Sequence, residues 1–165
     1  MNFLNTEQTT WRETVDRFME KEITREYIRE HDAERAYPYS AYERIAAEGW
    51  LRLLIPEEFG GFGGDIFDYA LMCEGLGKFG FDFATTVLVP TFTAMNIVKF
   101  GNDDQKAAYL EPFMSGKMRF SISISEPSAG SDAASTKTRA RLDKDHYIVK
   151  GQKLWCSGAA ARDVV

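Results

Sequence analysis

Arg119-Phe120-Ser121-Ile122-Ser123-Ile124-Ser125 is the stretch at which the pattern of this chain changes. Apolar and small polar residues alternate there with a period of two, as in a strand with one buried face. Glu126-Pro127-Ser128-Ala129-Gly130-Ser131-Asp132 follows at once. Its proline fixes φ, its glycine allows positive φ, and Ser and Asp bond to nearby backbone, so a tight polar turn is expected. Upstream the apolar residues recur at three and four; downstream the period stays near two. A run of helices followed by a run of strands predicts an α+β chain with two segregated parts, an all-helical domain over residues 1–118 and a β domain over residues 119–165.

Asn5 or Thr6 can cap a first helix, in which Trp11, Val15, Phe18, Met19, Ile23, Tyr27 and Ile28 form one apolar stripe. A loop is expected at Tyr37-Pro38, because the residue before proline avoids the helical region. Ser40 with Glu43 has the capping-box pattern and opens a short helix that stops at Gly49. The glycines of residues 60–64 make a turn. They are not a phosphate cradle, lacking a strand before, a helix after and a lysine following them. Asp65 caps the next helix, to about Gly77. A Thr-rich apolar helix spans about Asp82 to Phe100 and should be kinked by Pro90. Asn102 caps a further helix, ended by Ser115-Gly116. Beyond the change of period, Ser135 to Leu142, His146 to Lys150 and Lys153 to Ser157 read as strands, with a turn at Asp143-Lys144-Asp145. The last residues, Asp163-Val164-Val165, look like the entry to another strand, so the β part reads as unfinished.

Composition limits the function. The chain has 165 residues, 44% hydrophobic, which fits one domain or one and part of a second and excludes wholesale disorder. With 20 Lys plus Arg against 25 Asp plus Glu, the net charge is -5, which argues against a general nucleic-acid binder. Any anionic ligand must be held by local groups. The two cysteines, Cys73 and Cys156, form no CxxC, and His31 and His146 are the two histidines, so neither a metal site nor a Cys-His nucleophile pair is expected. The N-terminus carries no secretory pattern. The apolar stretch from Phe83 to Val98 is short and Thr-interrupted for a bilayer span, so it is read as a core helix, and a soluble cytoplasmic protein is expected.

Two segments could carry chemistry. The turn from Ser125 to Asp132 is either a plain connection or a concavity of backbone N–H groups able to hold a phosphate or pyrophosphate. In Gly151-Gln152-Lys153-Leu154-Trp155-Cys156-Ser157-Gly158, the indole either covers an open sheet or stacks on a planar ring whose polar edge meets the hydroxyl. Among carboxylates, Glu74 is expected to pair with an arginine.

The order of these pieces resembles the acyl-CoA dehydrogenase family over essentially the whole chain. The likeness runs from Ile55-Pro56-Glu57-Glu58-Phe59-Gly60-Gly61 through Gly101-Asn102-Asp103-Asp104-Gln105-Lys106, Tyr109-Leu110 and Ser115-Gly116. It continues through Ser125 to Asp132, Tyr147-Ile148-Val149-Lys150-Gly151-Gln152-Lys153, Trp155 and Ser157. The resemblance implies that the β part is the opening of a β-barrel domain, that the cofactor is FAD and that the substrate is an acyl-CoA thioester, oxidised to the 2,3-enoyl-CoA. It places flavin contacts on Ile122, Ile124, Ser125, Gly130, Ser131, Trp155, Cys156 and Ser157, with Ser131 also touching the CoA moiety. Ser157 would donate near flavin N5, where charge builds on reduction. Ser125 and Ser157 replace the family's usual threonines, and Cys156 a commoner β-branched residue. Part of the acyl cavity would lie on the 82–100 helix, with Pro90, Thr93 and Met95 as candidates. The resemblance also implies a homo-oligomer and an electron-transfer flavoprotein or similar acceptor. The family's catalytic base comes from a C-terminal helical bundle, so no catalytic residue is expected within these 165 residues, and little activity from them alone. Glu126, the carboxylate nearest the expected flavin, is the one candidate for a substitute base, but in the matching motif it belongs to the turn and is expected to bond to backbone instead. The same flavin contacts would serve an acyl-CoA oxidase or a flavin monooxygenase, and a non-catalytic helical interaction module is the other alternative.

Overall fold

Three helices begin where an Asn or Asp side chain satisfies the free N–H groups of a first turn. In the computed structural model, which describes residues 4–161, α1 (Thr6–Glu22) is capped by Asn5, which accepts from the Gln8 N–H at 2.8 Å while Gln8 accepts from the Asn5 N–H at 3.0 Å. Asp65 caps α4 (Ile66–Gly77) through the N–H groups of Phe67 and Asp68, and Asn102 with Gln105 forms a reciprocal box on α6 (Asp103–Met114). Between them lie α2 (Arg25–Glu34), α3 (Tyr39–Ala47) and α5 (Phe81–Phe100).

Two helix starts differ from expectation. The stripe from Trp11 to Ile28 belongs to two helices, because the backbone leaves the helical region at Ile23 (φ -130, ψ 74) and Thr24 then caps α2 by accepting from the Tyr27 N–H. Ile23 stays fully buried across the break, so the periodicity recorded a shared face, not a continuous rod. Ser40 does not cap α3, which starts one residue earlier after Pro38 without a side-chain cap; its hydroxyl is hydrogen-bonded to that of Tyr27 at 2.8 Å.

The core lies where α1 crosses α4 and where Trp50, in a 3-10 turn, fills the space beside α1. Trp50 meets the rings of Trp11 and Phe18 at 5.3 and 4.6 Å, and the Trp11 indole N–H donates to the Asp68 carbonyl at 2.9 Å, tying α1 to the start of α4. At the α1–α4 crossing Gly75 lies so close to Val15 that an added Cβ would overlap the valine methyl. Gly75→Ala is therefore expected to destabilise the fold by about 1–3 kcal/mol through overpacking. Gly77→Ala, where a Cβ meets nothing within 4 Å, should be neutral or stabilising by up to about 1 kcal/mol. Urea unfolding of the two variants checks the contrast.

α5 is long and apolar enough to cross a bilayer, but here it packs against α4 and α6. Phe83, Val87, Thr91 and Ala94 are buried, whereas Phe81, Phe92 and Phe100 remain exposed, so it is a core helix covered on one side. The helix runs through Pro90, which cannot donate to the Thr86 carbonyl; the Tyr37 hydroxyl donates to that carbonyl instead, at 3.4 Å.

The β part is smaller than expected among the described residues. β1 (Arg139–Asp143) and β2 (His146–Lys150) form an antiparallel hairpin in the register Arg139↔Lys150 to Asp143↔His146, turning at Lys144 with φ 59. Ala133–Ser135 is a 3-10 turn, so the strand expected from Ser135 starts only at Arg139. Among the described residues, 119–125 and 153–157 form no ladder with each other. They run beside each other, and the one backbone hydrogen bond between them is Leu154 N–H to Ser125 O at 2.8 Å. Their other ties to each other are side chains. The strand entry expected at Asp163-Val164-Val165 lies outside the described residues.

Candidate functional site

The two stretches with the proposed flavin contacts are adjacent. The Ser121 hydroxyl donates to the Ser157 carbonyl at 2.9 Å, and the Ser123 hydroxyl to the Cys156 sulfur at 3.0 Å. With the Leu154–Ser125 bond, these bring Ile122, Ile124 and Ser125 alongside Trp155, Cys156 and Ser157. Gly130 and Ser131 follow the bend closed by Glu126 N–H to Ala129 O (2.8 Å) and Ala129 N–H to Glu126 O (3.2 Å).

The surface they form is open and donor-rich. Trp155, at φ 59, is 84% exposed and Ile124 54% exposed. The hydroxyls of Ser125, Ser131 and Ser157 make no hydrogen bond to a described residue, and a Cβ on Gly130 would meet nothing within 4 Å. Free hydroxyls, an uncovered indole face and an unobstructed glycine suit a planar heterocycle with a polar edge and a phosphate-bearing tail, so the residues present fit a flavin dinucleotide.

On its other side Ser157 opens, with Gly158, onto a cavity of about 290 Å³ under α5. Asp82, Thr85, Thr86, Val89 and Pro90 line it from the helix; Tyr37, Arg119 and Phe120 close it. Of the three residues expected there, Pro90 lines the cavity, while Thr93 and Met95 do not. The Thr93 hydroxyl is turned back to the Val89 carbonyl at 3.2 Å, and Met95 packs against the core. Sequence reading missed Tyr37, Asp82, Thr85, Thr86 and Arg119. The usable signal was Thr85 and Val89, four apart on one helix face.

Glu126 is fixed as a structural group. Its side chain, 3% exposed, accepts from the N–H groups of Lys137 (2.6 Å) and Thr138 (2.9 Å) and from the Lys153 ammonium at 2.9 Å. The adjacent Thr138 hydroxyl, though outside good hydrogen-bond geometry, and then these three donors hold its carboxyl down at about 2. A carboxylate this acidic and this enclosed is no proton acceptor at neutral pH. Because the folded value lies below the usual carboxylate range, Glu126 stabilises the fold fully above pH ~4.5 and loses that contribution as pH falls towards ~2. An acid titration of Glu126→Gln should accordingly converge on the parent curve near pH 2 and lie below it at pH 6. Glu74 is not paired with an arginine; it is exposed on α4 and makes no ion pair with a described residue.

The family model for the acyl-CoA dehydrogenase N-terminal domain matches residues 5–117, and that for the acyl-CoA dehydrogenase middle domain matches residues 121–165. The chain belongs to the acyl-CoA dehydrogenase family. It is 37% identical over 171 residues to the probable acyl-CoA dehydrogenase YngJ of Bacillus subtilis, covering 100% of this chain and 44% of that relative. It is 32% identical over 148 residues to the human mitochondrial short-chain specific acyl-CoA dehydrogenase, covering 89% and 36%. An acyl-CoA dehydrogenase from Bacillus anthracis, solved in complex with FAD, superposes with a TM-score of 0.83 at 31% identity, over 98% of this chain and 28% of that one. The chain thus spans less than half the length of these relatives.

Proposed function

We propose that this chain supplies the helical part and the flavin-facing edge of an FAD-dependent acyl-CoA dehydrogenase. The observation that carries the reading is Ser157, which stands with Trp155 and Ser125 on the open donor surface and also forms the wall of the cavity under α5. A redox ring on that surface and an acyl chain in that cavity would meet at Ser157. FAD, when bound, accepts the hydride equivalent lost from the acyl β-carbon. The chain's own residues bind and orient. Trp155 offers a flat apolar face, Ser125 and Ser157 offer hydroxyl donors to the ring's polar edge, and Gly130 and Ser131 offer room and a donor for the pyrophosphate and CoA regions. Thr85, Val89 and Pro90 bound the acyl chain and exclude water from it. The proton acceptor is assigned to a carboxylate outside these residues, since Glu126 is already engaged. A homo-oligomer, a cytoplasmic location and reoxidation by an electron-transfer flavoprotein or similar acceptor belong to the same proposal.

The test is spectroscopic. The complete gene product should purify yellow, or bind added FAD, and should bleach anaerobically with an acyl-CoA. A colourless protein that binds no FAD would overturn the reading. Rapid oxygen consumption with substrate would move it to an oxidase of the same architecture.

A further inference from the structure

Lys153 is the one side chain that crosses between the two stretches of the site and touches both the backbone and a buried carboxylate on the far side. Its ammonium donates to the Ile124 carbonyl at 3.0 Å and to Glu126 Oε1 at 2.9 Å. Glu126 in turn holds the N–H groups of Lys137 and Thr138, at the approach to β1. One carboxylate and one ammonium therefore join three segments: the turn at 125–131, the run into β1, and residues 153–157. A single backbone hydrogen bond, Leu154 to Ser125, also links the first and last of these, and the Ser123–Cys156 and Ser121–Ser157 side-chain bonds run beside it.

The residue two positions further on shows why such a clamp is needed. Trp155 is not glycine, yet it sits at φ 59, a left-handed conformation that is unfavourable for an L-residue and persists only where the surroundings enforce it. At 84% exposure, Trp155 has little packing of its own to enforce anything. The constraint comes from the chain on either side. Leu154 N–H and the Lys153 ammonium hold it before the bend, and the Ser121–Ser157 bond holds it after.

We infer that Lys153 is a positioning residue for the cofactor: anchored on Glu126, it fixes the 153–157 segment against residues 122–125 and so sets where the Trp155 ring and the Ser157 hydroxyl stand. The inference rests on the FAD reading above and adds a residue that acts through Trp155 and Ser157 without touching the flavin.

Lys153→Met keeps the apolar stem and removes the donors; Lys153→Arg keeps the charge and the donors. In the complete gene product without added flavin, Lys153→Met should speed hydrogen exchange at the Leu154 amide by about tenfold or more, while the core of α1 and α4 keeps its parent protection. The FAD dissociation constant of Lys153→Met, from flavin fluorescence, should rise by about tenfold with a shifted visible band, and Lys153→Arg should restore most of both. Unchanged Leu154 exchange overturns the inference. So does faster exchange with parent FAD affinity and spectrum, or a fall in affinity accompanied by loss of protection throughout α1 and α4. If the parent protein binds no FAD, the function reading fails and this inference with it; if the parent binds and Lys153→Met binds equally well, this inference alone fails.

Discussion

Trp50→Ala is expected to cost about 3–5 kcal/mol, the usual range for deleting a buried large aromatic. Trp50 is nearly inaccessible to solvent and packs against Trp11 and Phe18 of α1. The turn that carries it is pinned by the loop that follows, which limits how far either can close over a missing ring. Gly61 already touches the Ile55 carbonyl so closely that no Cβ fits, and the Phe62 and Gly63 N–H groups are bonded to Arg52 and Ile55 at 2.9 Å each. A cavity would therefore remain and would add its own penalty to the lost transfer energy. Against a total stability of about 5–15 kcal/mol this is a large share, and a fall of about 10 °C in thermal midpoint is expected for a chain of this size. Trp50→Phe, which keeps the aromatic contact with Phe18, should recover more than half. A thermal midpoint within ~2 °C of the parent for Trp50→Ala would mean that the loop collapses into the space, contrary to this account.

What the sequence made legible was local. Asn5, Asp65 and Asn102 cap the helices that their positions announced, because a cap is a contact between residues two or three apart. The break at Ile23 and Thr24 was hidden, because both helices bury the same stripe and the hydrophobic period does not register a change of axis. Ser40 had the letters of a cap, but Tyr27, thirteen residues away, takes its hydroxyl. The β part was legible as a change of period and as the hairpin of β1 and β2, but its pairing was not. Alternation in 119–125 does not by itself say which side chains end up inside, since Ser121 is buried and Ile124 exposed, and a strand is defined by a partner, of which 153–157 offers one backbone bond where a ladder needs several. Trp155 then takes a conformation no propensity assigns to tryptophan.

The site divides along the same line. The resemblance named residues on 122–131 and 155–157, and the chain does bring those two stretches side by side. The wall that faces them was only half legible: Thr85 and Val89 share a helix face, but nothing local in them, or in Tyr37, says that α5 passes over Ser157. Pro90 shows how the pieces fit. By removing one helical hydrogen bond it frees the Thr86 carbonyl for Tyr37, which draws the loop before α3 onto the same cavity. A helix residue chosen for its backbone thus shapes a pocket to which it also contributes its ring.

Ser157→Ala gives the largest effect expected on chemistry. The backbone of Ser157 is held on both sides, its N–H donating to the Trp155 carbonyl at 3.0 Å and its carbonyl accepting from the Ser121 hydroxyl at 2.9 Å. Its own hydroxyl makes no hydrogen bond to a described residue, and Ser157 is among the residues that line the cavity under α5. A donor carried on a held backbone and otherwise unengaged is suited to stabilise charge developing in a transition state, because no existing bond has to be broken when the charge appears. Removing one such donor typically lowers the rate about 10²-fold, or about 2.7 kcal/mol. In the complete flavin-loaded protein, Ser157→Ala should therefore slow anaerobic flavin reduction by acyl-CoA by about that factor, with FAD content and thermal midpoint near parent values. Ser157→Thr keeps the hydroxyl and adds a methyl, and should reduce within a fewfold of the parent. A Ser157→Ala protein that reduces its flavin at the parent rate would place the ring elsewhere, and would remove Ser157 from the meeting point of cofactor and acyl chain.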